Sequence, residues 1–301
     1  MNTIAIVIPY YKIDFFEETL KTVTSQTDKR FTLYIGNDAS PDDPFPLIEK
    51  YFPDGNYYYF DYKENLGGKN LAMQWERILE NVNEEWFQIL GDDDVISENF
   101  VEEFYTILPE VSKDRISLIK TGILWIDSAN NAIENNIYKF NLIPAHQIFI
   151  KKYKGEIRSS LSENIYKTKL ARQNKFEKLP LAWGTDDLSL LNFSENGIIK
   201  YIAKPLVMVR VFDRSISGSK LMKKEKKMAY MKFKEKLFTD YCKYLPKEFI
   251  IKELPIFLDN AYFSGYIPRM KVVIYLFKIF KFRLAFTQIK KIYYIKRKYG
   301  A

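Results

Sequence analysis

Three consecutive aspartates, Asp92–Asp94, follow the apolar run Trp86–Leu90 and a single glycine. Adjacent carboxylates raise one another's pKa and resist full ionisation unless positive charge neutralises them. A divalent cation does this, and Mg2+ or Mn2+ favours one or two carboxylates completed by phosphate oxygens and water. A metal held at this point would neutralise a departing diphosphate. The plainer reading is that the acids cap the helix that follows. Histidine and cysteine offer little chemistry beside them. The chain has one His, His146, and one Cys, Cys242, so it has neither an intrachain disulfide nor a Cys/His zinc cluster.

The elements that must position the acids alternate along the chain. Thr3–Ile8 is a continuous apolar run ending at Pro9, the pattern of a strand buried on both faces. Asp14 and Glu17 open a helix to about Ser25 as a capping-box variant. Phe31–Ile35, Tyr57–Phe60 and Trp86–Leu90 read as further strands, with helices over about Leu71–Leu79 and Ser97–Leu108. Ile116–Ile126, Ile198–Ile202 and Val207–Val211 are later strand candidates. This rhythm predicts an α/β fold, a mostly parallel central sheet with right-handed crossovers flanked by helices. Ligands of such sheets lie beyond the carboxyl ends of the strands. Asp38 and Asp92–Asp94 both fall there.

Four segments in order then carry a family resemblance. Val7-Ile8-Pro9-Tyr10-Tyr11 resembles the opening of family-2 glycosyltransferases of the Rossmann-like GT-A fold. Asn37-Asp38-Ala39-Ser40 is similar to their Asp-Asp-Gly-Ser signature, and Glu64-Asn65-Leu66-Gly67-Gly68 resembles the segment after their third strand. Leu90-Gly91-Asp92-Asp93-Asp94 resembles their Asp-x-Asp region, with Gly91 where the family often has Asp. The resemblance runs over about residues 3–110 and continues more weakly to about 215.

It implies an inverting, metal-dependent transfer of a sugar from a nucleotide-diphosphate sugar, UDP-linked above all, to a hydroxyl of a glycan or lipid-linked acceptor. Pro9 and Tyr11 would flank the nucleotide base and Asp38 would accept from a ring N–H, although an Asx-turn over Asn37–Pro41 has the same sequence. Asn65 would belong to the donor site. Asp92 or Asp93 would meet the ribose or the Mn2+ or Mg2+ ion, in one of two registers. Asp94 is the metal ligand in either, with Asp92 its partner in the first. The family's Arg-Asn after Gly68 is not evident, and Lys69 or Arg77 would supply the charge.

The second half holds Trp183-Gly184-Thr185-Asp186-Asp187-Leu188. Thr185 suits an N-cap, and Leu188, Leu191 and Phe193 suit a helix beginning there. The segment resembles the family's acidic pair, which makes Asp187 the candidate base for the acceptor hydroxyl and Asp186 the alternative. Acids at a helix start also simply complement its dipole. Trp183 would offer an apolar face to an acceptor sugar or pack in the core. Arg210 and Arg214, in a segment resembling a loop over the donor, would meet phosphate, or sit as surface arginines.

Charge divides the chain. Residues 220–301 carry 21 Lys and Arg against 6 Asp and Glu, while residues 1–219 carry 25 against 32. The expected domains are therefore a GT-A-like catalytic body over 1–219 and a basic, amphipathic helical region over 220–301. Lys271 to Lys298 contains nine basic residues, no acids and several large apolar side chains. This composition suits an anionic membrane surface, or helices packed on the body with a solvated basic face. No nucleic-acid motif accompanies it.

The N-terminal run has no basic leader, and no apolar stretch reaches the length of a spanning helix. A cytoplasmic enzyme, peripheral on the inner face of the membrane, is expected, serving bacterial surface polysaccharide such as O-antigen or capsule. Two other readings stay open. A nucleotidyltransferase would need a Gly-rich phosphate loop that Pro9–Asp14 lacks. A membrane adaptor with a decayed transferase domain would have no use for the retained acids.

Overall fold

The computed structural model describes residues 2–195, 197–212, 223–278 and 281–299. The chain divides into two compact units, Met1–Lys178 with Thr185–Leu221, and Leu179–Gly184 with Met222–Ala301. The expected boundary at 219/220 lies outside the described residues. The short segment 179–184 groups with the C-terminal unit instead of the body to which it was assigned.

The first unit opens with β1 (Ile4–Tyr10), α1 (Phe16–Thr24), β2 (Phe31–Asp38), α2 (Phe45–Tyr51), β3 (Tyr57–Tyr62), α3 (Leu71–Leu79) and β4 (Trp86–Ile89). Next come β5 (Val95–Ile96), α4 (Phe100–Lys113), β6 (Leu118–Ile126), β7 (Ala132–Asn136), β8 (Leu142–Pro144) and α5 (Ala145–Tyr153). β9 (Asn164–Lys167), α6 (Thr168–Asn174), α7 (Thr185–Phe193) and β10 (Ile198–Arg210) complete it. The strands form one sheet in the order β3-β2-β1-β4-β9-β6-β10-β5, with β7 on β6 and β8 on β10.

The first four strands in that order are all parallel. Ile4–Ile8 are fully buried, as a strand covered on both faces requires. Phe16, Leu20 and Val23 of α1 and Phe100, Val101 and Phe104 of α4 join the same core. In the remainder β10 also pairs parallel with β6, and the other pairs run antiparallel. β9 runs antiparallel between β4 and β6, and β5, β7 and β8 also pair antiparallel. The two strands expected over 198–211 are one strand, with register shifts on either side of Pro205, a residue that cannot donate to a ladder. α1 also starts differently. Its N-cap is Phe15 with no side-chain cap, and Glu17 instead bonds Lys50 and Tyr51 at 2.6 and 3.0 Å.

The second unit is helical: α8 (Lys223–Lys236), α9 (Lys247–Ser264), α10 (Met270–Lys278) and α11 (Phe282–Tyr299). Leu237, Phe238, Leu254, Phe257, Leu258, Val272, Val273 and Leu276 fill its interior. Among the described residues no helix is long and apolar enough to cross a membrane.

Candidate active site

The parallel strands bring the turns after β1, β2, β3 and β4 to one end of the sheet. After β2, Asn37 closes the Asx-turn, its Oδ1 accepting the Ser40 N–H at 2.9 Å, with Ala39 at φ 55°. Asp38 is thereby released for another task. Its Oδ1 accepts from the Leu66 N–H at 2.8 Å and Arg77 at 2.7 Å, and its Oδ2 accepts from the Gly67 N–H at 2.7 Å. A Cβ on Gly67 would stand 2.5 Å from Asp38 Oδ2, so this close approach requires glycine.

Burial raises the Asp38 pKa, against the lowering influence of the two N–H groups and Arg77. The Arg77 guanidinium lies 3.6 Å from the Tyr62 ring centroid. Arg77 is thus the cation of this corner. Lys69 is exposed and paired with Glu64, and Asn65 Oδ1 accepts the Gly68 N–H within the same turn. Pro9 is half-buried at the end of β1. Tyr11 is 40% exposed and accepts the Ser40 hydroxyl on its carbonyl at 2.8 Å.

After β4 the three aspartates have different surroundings. Asp92 Oδ2 accepts the Tyr11 and Lys12 N–H groups, both at 2.7 Å, which ties the β1 turn to the β4 turn. Asp94 is buried, with Oδ2 accepting the Ser162 hydroxyl at 2.5 Å and Oδ1 the Arg210 N–H at 3.0 Å. Asp93 is half-buried, and no other described residue donates a hydrogen bond to its carboxylate. Burial first, and then the Asp93 charge, pushes Asp92 up to about 7 and Asp94 up to about 8.

Asp94, expected as the foremost metal ligand, is the most enclosed of the three. Both its oxygens are engaged inside the protein, and Asp93 is the member with its carboxylate open. Among the described residues no three His, Cys, Asp or Glu side chains form a protein-only cage. The residues fit a Mg2+ or Mn2+ ion that takes one or two carboxylates and completes its shell with phosphate and water.

Arg210 also departs from expectation. It is 2% exposed. Its guanidinium donates to Asp93 O at 2.9 Å, Asp127 O at 3.1 Å, Asn130 Oδ1 at 2.7 Å and Glu18 Oε2 at 2.7 Å, over the Phe15 ring. With these partners it pins four segments together and has no fork left for a phosphate. Arg214 lies outside the described residues.

The second acidic pair opens α7. Lys152, on α5, places Nζ 2.6 Å from Asp186 Oδ2 and 2.5 Å from Asp187 Oδ1. Burial and the neighbouring Asp186 push Asp187 up to about 7, opposed by Lys152 and Lys120. Burial pulls the Lys152 pKa down, but the two aspartates outweigh it and hold the ammonium above its ordinary value.

The loop leading into β9 borders the first acidic centre and pairs with Lys120, whose charge opposes the rise at Asp187. Ser162 holds Asp94, while the adjacent Glu163 forms a buried ion pair with Lys120 at 2.5 Å. Glu163 also accepts from the Ser159 and Ser160 hydroxyls at 2.6 and 2.8 Å. Thr185 does not cap α7 with its side chain as expected; its hydroxyl donates to the Glu177 carbonyl at 2.9 Å. Trp183 belongs to the second unit, where the Lys226 ammonium stands 5.5 Å from its ring centroid. Around it Leu181, Ala182 and Gly184 all take positive φ, and a Cβ on Gly184 would strike the Phe233 ring.

Sequence reasoning weighed Arg77 without securing it and missed Ser162, Lys152, Lys120 and Glu163. Each acts across 34 or more residues of sequence, so no local spacing marks it.

The family model described as Glycosyl transferase family 2 matches residues 5–180. No curated protein sequence matches the chain. Among solved structures, S. aureus TarS 1–349 in complex with UDP-GlcNAc aligns with a TM-score of 0.62 at 15% identity, over 100% of this chain and 92% of that one. The same fragment in complex with UDP gives 0.59 at 16% identity, over 100% and 91%. The longer S. aureus TarS gives 0.59 at 15% identity, over 99% of this chain and 55% of that one. At these identities the likeness is one of fold, the GT-A architecture expected from the motifs.

Proposed function

This chain belongs to glycosyl transferase family 2, and on that premise we propose an inverting transfer from a nucleotide-diphosphate sugar to an acceptor hydroxyl. The observation that carries the reading is the placement of two acidic centres with opposite tasks. One, at the end of β4, has an open carboxylate at Asp93. The other holds Asp187 half-buried at a pKa of about 7, where a carboxylate is an effective general base.

In the proposed step Asp187 takes the proton of the acceptor hydroxyl while that oxygen bonds to the anomeric carbon. The bond from that carbon to the diphosphate oxygen breaks in the same displacement, which inverts the centre. Lys152 holds Asp187 and Asp186 in place, and its charge keeps Asp187 ionised near neutral pH. A bound Mg2+ or Mn2+ would neutralise the departing diphosphate, with Asp93 and the remaining oxygen of Asp92 the residues to hold it.

Asp38 has a lone pair left on Oδ2 beside the Arg77 guanidinium, which supports its proposed role as acceptor for a base N–H. Pro9, Tyr11 and Asn65 border the same corner, with Lys69 at its exposed rim. The UDP-GlcNAc and UDP complexes of the similarly folded TarS favour a UDP-sugar. A glycan or lipid-linked acceptor, and a place in surface-polysaccharide assembly, complete the proposal.

Calorimetry with UDP and Mn2+ tests the metal assignment. Asp93→Ala is expected to lose the Mn2+-dependent part of UDP affinity while keeping the wild-type melting temperature. Equal affinity in both proteins, with and without chelator, would remove the metal from the site.

A further inference from the structure

α11 has two faces of different chemistry. Ala285, Gln288 and Ile292 recur at helical intervals and are buried. This side is fixed to α9 through Asp259, whose Oδ1 accepts from Gln288 Nε2 at 3.4 Å and from Lys291 Nζ at 2.5 Å. The outward side carries Phe282, Phe286, Tyr293 and Tyr294, between 49% and 68% exposed. Arg283, Lys290 and Arg297 are exposed among them. At about 100° per residue these seven side chains span roughly 120° of the helix.

The cations sort by side as well. Lys291 pairs with Asp259, and Lys271 of α10 pairs with Asp240. Arg283, Lys290 and Arg297 form no salt bridge with any described residue, and α11 contains no acid. Phe282 and Phe286 meet the Phe277 ring at 6.1 and 5.5 Å and Tyr294 meets Tyr262 at 6.1 Å, yet all four rings stay 49% to 68% exposed, which a solvated basic face does not account for. An interfacial helix accounts for both the cations and the rings. A second copy of this face would meet it with like charge, and a neutral apolar partner would strand the cations.

We propose that the outward face of α11 docks on an anionic phospholipid surface. The helix lies in the interfacial plane, its rings at the depth of the headgroups and its arginines and lysine on lipid phosphates. Its inner stripe remains packed on α9 throughout, so docking requires no unfolding of the unit.

Sedimentation of the full-length protein with vesicles tests this directly. Binding is expected to vesicles of phosphatidylglycerol and phosphatidylcholine in equal parts, with little to phosphatidylcholine alone. Salt should release it, because the attraction acts within a Debye length. The triple variant Arg283→Gln/Lys290→Gln/Arg297→Gln should lower the partition about a hundredfold, about fivefold for each cation.

Phe282→Ser/Phe286→Ser, which also gives up the contacts with the Phe277 ring, should weaken binding too, and the triple variant should keep the wild-type circular dichroism and donor-hydrolysis rate, since its three altered side chains are exposed. Equal sedimentation with both vesicle types, or wild-type binding by the triple variant, overturns the proposal. So does self-association that the phenylalanine variant abolishes without any vesicle binding, which would make this face a contact between copies.

Discussion

A carboxylate that accepts a proton from a hydroxyl works best when its own pKa lies near the operating pH. At about 7, Asp187 is protonated in mild acid, and proposed turnover should fall as the pH drops through that value. Lys152 favours the charged form, so Lys152→Met should move this limb to higher pH by about 1–3 units. A pH–rate profile of the two proteins checks it, and an unmoved limb would assign the titration to another group. Arg210 makes the opposite kind of prediction. As a buried staple between α1, the β4 turn and the 127–130 turn, its loss leaves several buried acceptors unpaired. Arg210→Ala should cost about 3 kcal/mol in denaturant unfolding. A phosphate ligand would instead weaken donor binding at unchanged stability. At this scale the sequence reveals which residues are acidic and that they end strands. It does not reveal that Asp94 faces Ser162 and the Arg210 N–H while Asp93 is left open, because those partners arrive from 68 and 116 residues away.

Among the elements, the strands legible in sequence are those whose burial is written as a continuous apolar run, β1 and β4 above all. α3 is equally plain, since Ala72, Trp75, Ile78 and Leu79 mark its buried side and Asn70 caps it through the Ala72 N–H at 3.1 Å. β9 is not legible. Its four residues hold only Ile165 and Tyr166 as apolar members, and its place between β4 and β6 depends on pairing across more than 40 residues of chain. β10 misleads in another way, because Lys204-Pro205 looks like a break yet is accommodated by shifts in register. The seating of α3 on β2 depends on Gly36, where an added Cβ would lie 2.5 Å from both Ile78 Cγ1 and Cδ1. Ile78 is fully buried and has nowhere to retreat. Gly36→Ala should therefore destabilise the protein by about 2 kcal/mol, the usual cost of overpacking. Urea denaturation measures it, and a cost near zero would show that the helix can slide.

For the whole molecule, the sequence separates the chain by charge more clearly than by any linker. The acidic balance of residues 1–219 accompanies a sheet whose turns gather carboxylates, and the basic balance of 220–301 accompanies helices that pair some lysines inward and leave other cations outward. The family is legible because its motifs sit at strand ends, where backbone geometry constrains residue type. The helical unit carries no such motif, and its amphipathic spacing identifies faces without identifying what covers them. In the proposed reaction Asp187 deprotonates the nucleophile in a single inverting displacement. The most direct measurement of this step is hydrolysis of a UDP-sugar with Mn2+ by wild type and Asp187→Asn, followed by NMR at the anomeric proton, with donor affinity measured on the same samples. The prediction is an inverted product from the wild type, and a variant that binds donor normally but turns over at least ~10²-fold more slowly. A product of retained configuration, or wild-type turnover by Asp187→Asn, would contradict it.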